Sequence, residues 1–109
     1  MKHDFEGQRR ETFDTFDELK KHGEALPESS VLEVYLLAEG DEANWDAAEK
    51  ALKAKGFVTE RDEEGDTLIV ATKAPIKIAP AVIWDVEKQI SDIGLKFDFV
   101  PDGWEFGFD

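Results

Sequence analysis

Apolar residues change their spacing along this chain, and each change marks an element. Over residues 6–22, Phe13, Phe16 and Lys20 fall one above another with Leu19 beside them, while Arg9, Arg10, Asp17 and Lys21 point elsewhere. That spacing predicts a leading helix. Lys20, Lys21 and His22 sit in its last turn, where cations suit the helix dipole, and Gly23 is a fitting stop. Leu26-Pro27-Glu28-Ser29-Ser30 reads as a linker. The period then drops to two. Across residues 31–38, Leu32, Val34, Leu36 and Ala38 share one face, and Glu33, Tyr35 and Leu37 share the other.

Helical spacing returns at Asp41, read as an N-cap with Glu42 in the first turn, and runs to about Lys55, where Gly56 ends it. Trp45, Ala48, Ala51 and Leu52 make the inner stripe, and its alanines allow close approach to a sheet. Residues 57–61 predict a second strand and 67–73 a third. Between them Asp62-Glu63-Glu64-Gly65-Asp66 is a hairpin turn, with Gly65 where a positive φ is expected. Pro75 and Pro80 frame a helix over 79–93 whose stripe is Ala79, Val82, Val86, Ile90 and Ile93, with Ile83 at the margin and Gly94 as the stop. Residues 96–100 predict the last strand. Pro101-Asp102-Gly103 then turns and sets Trp104 beside carboxylates.

After the leading helix the order is β-α-β-β-α-β, the split βαβ pattern of a ferredoxin-like α+β fold. It predicts a four-stranded antiparallel sheet in the order 4-1-3-2, both helices on one face, and an extra N-terminal helix. One domain spans residues 1–109, with the ferredoxin-like core at 31–104. The first two strands run the same way. Glu39, Asp41 and Glu42 after the first, and Asp62, Glu63, Glu64 and Asp66 after the second, therefore fall at one end of the sheet as a negative rim. Two other readings stand beside this one: acids suit a helix N-terminus, and hairpin acids are ordinary solvated turn residues.

Charge sharpens that picture. Asp and Glu total 26 against 13 Lys and Arg, a formal −13. Such a field repels nucleic acid and anionic lipid and draws basic partners; solubility alone is the other reading. The third strand offers Leu68, Ile69 and Val70 and no aromatic for base stacking, so direct RNA binding is not expected. With no cysteine, disulfides and thiolate metal sites are excluded. His3 and His22 are too isolated for a joint metal site, and the 62–66 turn lacks the ligand spacing of a calcium loop. Ser29, Ser30 and Ser91 lack a nucleophile pattern, and Gly103 and Gly107 are flanked by acids that repel phosphate. No enzyme, no cofactor and no catalytic residue is expected. The N-terminus lacks the apolar run of a secretory signal, and no apolar run could span a bilayer, so a cytoplasmic protein is expected.

The tryptophans bear on partners. Trp45 lies on its helix stripe and reads as core. Trp84 lies off its stripe, placed to pack against the leading helix or to stay exposed. Trp104 either packs over the end of the sheet or anchors a partner. Tyr35 and Leu37 face away from the two sheet-packed helices, and the leading helix is one candidate to cover them.

Gly56-Phe57-Val58, Gly65-Asp66 with Thr67-Leu68-Ile69-Val70, and Lys96-Phe97-Asp98 continuing to Asp102-Gly103-Trp104 resemble the RraB family of ribonuclease E inhibitors, as does the segment Gln8-Arg9-Arg10-Glu11-Thr12. The resemblance covers about residues 6–106. It implies a non-enzymatic regulator that binds a basic, non-catalytic region of the endonuclease. The acidic rim and the last turn supply the residues expected to meet that partner: Glu39, Asp41, Glu42, Asp62, Glu63, Glu64, Asp66, Asp102 and Trp104. A monomer is favoured. The alternative is a ferredoxin-like module that self-associates through its open sheet face.

Overall fold

The computed structural model describes residues 3–21, 26–40, 43–62 and 64–106. Helix α1 spans Phe5–Lys21, α2 Trp45–Ala54 and α3 Pro80–Lys96. Strands β2 (Leu32–Ala38), β3 (Phe57–Asp62), β4 (Thr67–Thr72) and β6 (Phe99–Phe106) form one sheet in the order β3-β4-β2-β6, every neighbour antiparallel. The segment expected to be a linker contributes β1 (Ser29–Ser30), which pairs with β5 (Ile76–Lys77) in a second, small sheet.

One face of the large sheet is the core. Leu32, Val34 and Leu36 of β2 and Leu68 and Val70 of β4 are fully buried against Ala48 and Leu52 of α2 and Ile83 and Ile90 of α3. Each such leucine or isoleucine contributes about 1.5–3 kcal/mol when taken from water. Helix α1 does not cover the opposite face. It lies against α3, with Thr12 and Phe16 buried, and Phe5 meets Trp84 edge-on at 6.5 Å.

Several expectations are corrected. Helix α2 starts at Trp45 behind an Asn44 cap, whose side chain accepts from the Ala47 N–H, rather than behind Asp41. Its end is as expected: Gly56 takes φ +93°, and its N–H and that of Lys55 reach back to Lys53 and Leu52. In the β3–β4 turn the positive φ falls on Asp66 (52°) and not on Gly65, whose N–H donates to Asp62 Oδ1 at 3.4 Å. Gly94 does not end α3. It is buried inside the helix, where a Cβ would stand 2.9 Å from Leu36 Cδ1, so its lack of a side chain lets the helix lie close to the sheet. The buried stripe of α3 is also rotated, to Ile83, Glu87, Ile90, Ser91, Ile93 and Gly94, because α1 packs on a second side of the helix. Finally, β6 runs on to Phe106. The expected turn at 101–103 is a β-bulge: Val34 pairs with Trp104 and Leu36 with Pro101, so Asp102 and Gly103 together oppose Tyr35, with Gly103 at φ +116°.

Candidate protein-docking surfaces

The ends of β2 and of the β3–β4 hairpin meet. The Ala38 N–H donates to the Asp66 carbonyl at 2.8 Å, and the Glu39 N–H to the Asp98 carbonyl at 2.9 Å. Exposed Glu39, Asp62, Glu64 and Asp66 therefore lie at one end of the sheet, joined by exposed Asp98. Asp41, Glu42 and Glu63 lie outside the described residues. Asp102 and Trp104 stand apart from this end, farther along β6. Asp102 is exposed in the bulge. Trp104 is half-buried and turned to the helical side, stacked on Phe106 at 5.8 Å, with its indole N–H donating to Thr12 Oγ1 at 3.3 Å.

That indole belongs to a polar seam between α1, α3 and β6. Thr12 Oγ1 donates to Glu87 Oε1 at 2.5 Å, and Gln8 Nε2 donates to Glu87 Oε2 at 2.8 Å and to Ser91 Oγ at 3.1 Å. Burial pushes the Glu87 carboxyl up, against the pull of the Thr12 and Gln8 hydrogen bonds; nearby Glu11 adds to the rise. An open cleft of about 530 Å³ lies over the seam, walled by Trp104 and bordered by Asp4, Glu11 and Asp102. Helical spacing alone did not single out Thr12, Gln8 or Glu87. Glu87 lies among Asp85, Lys88 and Gln89, and only the packing of α1 on α3 sets it apart from them.

On the helical side of β3, Arg61 binds two acids of α2: Nε donates to Glu49 Oε1 and Nη2 to Asp46 Oδ1, each at 2.6 Å. It also stands over Trp45, 5.5 Å from the ring centroid, and Trp45 meets Phe99 edge-on at 5.1 Å. The opposite face of the sheet carries acids of its own. Glu33 lies directly across from Glu105, and the Tyr35 hydroxyl donates to Glu105 Oε2 at 2.9 Å. Partial burial, the Glu105 bond and the charges of Glu105 and Glu33 push the Tyr35 hydroxyl up to about 12. Glu105 lies beyond Val100, where residue spacing predicts the strand to end, and only the bulge carries the strand on to it.

The described residues form no cluster of three or more metal-ligating side chains, and none of their helices is long and apolar enough to cross a membrane. Three surfaces are open to solvent, a rim, a cleft and the helix-free sheet face, and each carries carboxylates. A family model for RraB, regulator of ribonuclease activity B, matches residues 9–106. The chain belongs to the RraB family. No curated protein matches it. The family is one of regulators of ribonuclease activity, which implies a protein partner of ribonuclease type. Its sheet and helices form an α+β fold.

Proposed function

We propose that this chain is a non-enzymatic regulator that inhibits ribonuclease E-type RNA degradation by binding a basic, non-catalytic region of the endonuclease in the cytoplasm. The observation that carries the reading is the family match across residues 9–106. A formal charge of −13 supports it, because a basic partner segment is drawn to such a field and RNA is repelled. The rim supports it further: Glu39, Asp62, Glu64 and Asp66 are exposed at one end of the sheet. Asp41, Glu42 and Glu63 belong to the same two chain segments. In this reading Asp102 contributes charge from the bulge. Trp104 contributes through the cleft wall rather than as a free anchor, since its indole is already bonded to Thr12. We read the β-α-β-β-α-β core as ferredoxin-like, a scaffold for contact surfaces that holds no reaction centre.

Pull-down of the full chain with the purified non-catalytic region of ribonuclease E, at low and at high salt, tests the proposal. Retention at low salt that weakens as salt rises is the expected result. Absence of retention at every salt concentration ends it.

A further inference from the structure

The helix-free face of the large sheet is set out in three rows by its strand register. Val58, Ala71, Glu33 and Glu105 make the first; Glu60, Ile69 and Tyr35, opposite the bulge, the second; Asp62, Thr67, Leu37 and Val100 the third. Leu37 and Val58 are exposed large apolar side chains, at 36% and 47%. Ile69 and Tyr35 are half-buried between them, and half-buried Val100 lies beside Leu37 on β6. Apolar residues thus form a diagonal band from Val58 to Val100, and carboxylates stand at the two remaining corners, Glu33 with Glu105 and Glu60 with Asp62. The only base in the four strands is Arg61, and it faces α2. No cation of the sheet itself therefore answers these acids.

Two physical features say what belongs there. An apolar band flanked on both sides by one sign of charge suits a partner with apolar side chains and the opposite charge. The Glu33–Glu105 pair adds a position: like charges directly across a ladder are unfavourable, and a cation between them turns repulsion into attraction. The same charge argues against a second copy of this chain. Two such faces brought together would bury carboxylate against carboxylate with no base between them. The third row ends beside Glu39 and Asp66, so the face runs into the acidic rim.

We propose that this open sheet face is the surface on which a basic, amphipathic segment of the protein partner docks. Its apolar side chains lie over Tyr35, Leu37 and Ile69, and a lysine or arginine lies between Glu33 and Glu105. Three rows two residues apart span about 14 Å along the strands. About nine residues of helix, or four to five extended residues, cover that length. The rim then takes the flanking basic residues. This inference rests on the ribonuclease reading and names where on the molecule that contact is made.

The test is binding of the full chain to the purified non-catalytic region of ribonuclease E, followed by titration calorimetry at two salt concentrations. Leu37→Asp, the double variant Glu33→Gln/Glu105→Gln, and the helical-side control Asp92→Asn are compared with the original chain, with circular dichroism to check folding. Leu37→Asp is expected to weaken binding tenfold or more. The double variant is expected to weaken it threefold or more and to flatten the salt dependence, while Asp92→Asn leaves it unchanged. The double variant keeps side-chain shape and removes an unfavourable pair, so it remains informative where Leu37→Asp fails to fold. Undiminished binding by both folded face variants overturns the inference while the ribonuclease reading stands. No binding by the original chain overturns both. Self-association abolished by Leu37→Asp, with ribonuclease binding intact, assigns the face to a second copy and also overturns it.

Discussion

Leu36 and Leu37 are chain neighbours on opposite faces of β2, one fully buried under two helices and the other 36% exposed. The two faces differ as sharply in charge. On the helical side Asp46 and Glu49 are matched by Arg61, whereas Glu33, Glu60 and Glu105 share a face on which no strand places a base. Both halves of that contrast come from period two, which turns Arg61 inward and Glu60 outward. Net charge is therefore a poor guide to function until the pleat has sorted it. The acids that stabilise the fold and those open to a partner differ in position, not in kind.

The largest effect expected is on that leucine pair. Leu36→Ala removes a fully buried side chain and should cost about 2–5 kcal/mol. Leu37→Ala should leave stability within about 0.5 kcal/mol and weaken partner binding instead. Urea unfolding of both variants, with binding measured in parallel, checks the split; equal destabilisation would erase the distinction between the faces. Next comes Gly94→Val. Its Cβ would crowd Leu36 from a helix that must lie close to the sheet, and the overpacking should cost about 1–3 kcal/mol, read as a lower urea midpoint.

Gly94 also marks where the sequence stops being legible. A glycine after an apolar helical stretch reads as a stop, and only the Leu36 side chain, 58 positions away in the chain, explains why it continues the helix. The β-α-β-β-α-β order and the helical-side residues of β2 follow from periodicity alone, because one buried face per element leaves a clean pattern. The rotated stripe of α3 does not, because that helix answers to the sheet and to α1 together. At the candidate surfaces the meeting of Glu39 with Asp66 was legible from topology, and Tyr35 with Leu37 from alternation. The Glu33–Glu105 pair was not: Pro101 and Gly103 read as a turn, and only a bulge lets the strand resume beyond them.

Glu87 extends the comparison to the seam between α1 and α3. Its carboxyl holds a proton more tightly in the folded chain than in the unfolded one. The resulting stabilisation is complete below the unfolded value, about 4.3, and is lost as pH rises through the higher folded value. Relative to Glu87→Gln, the original chain should therefore gain stability as pH falls from 7 towards 4. Thermal melting of both chains at several pH values isolates this group from the acids common to both. A constant difference across the range would mean that α1 does not bury the carboxyl.

The smallest effect separates the two sets of exposed acids by sign. Glu33→Gln removes a charge directly opposite Glu105 and should raise stability by about 0.5 kcal/mol at low salt. Asp46→Asn removes an exposed partner of Arg61, and its sign should be the reverse, a slight fall in Tm. Both differences should shrink as salt screens them. The pair of signs matters more than either magnitude. If both substitutions destabilise, Glu33 is answered by a cation of the folded chain, and the open face lacks the unbalanced charge that a basic partner would relieve. If Glu33→Gln stabilises the chain yet weakens partner binding, the same carboxylate works against folding and for recognition, as expected of a residue retained for contact.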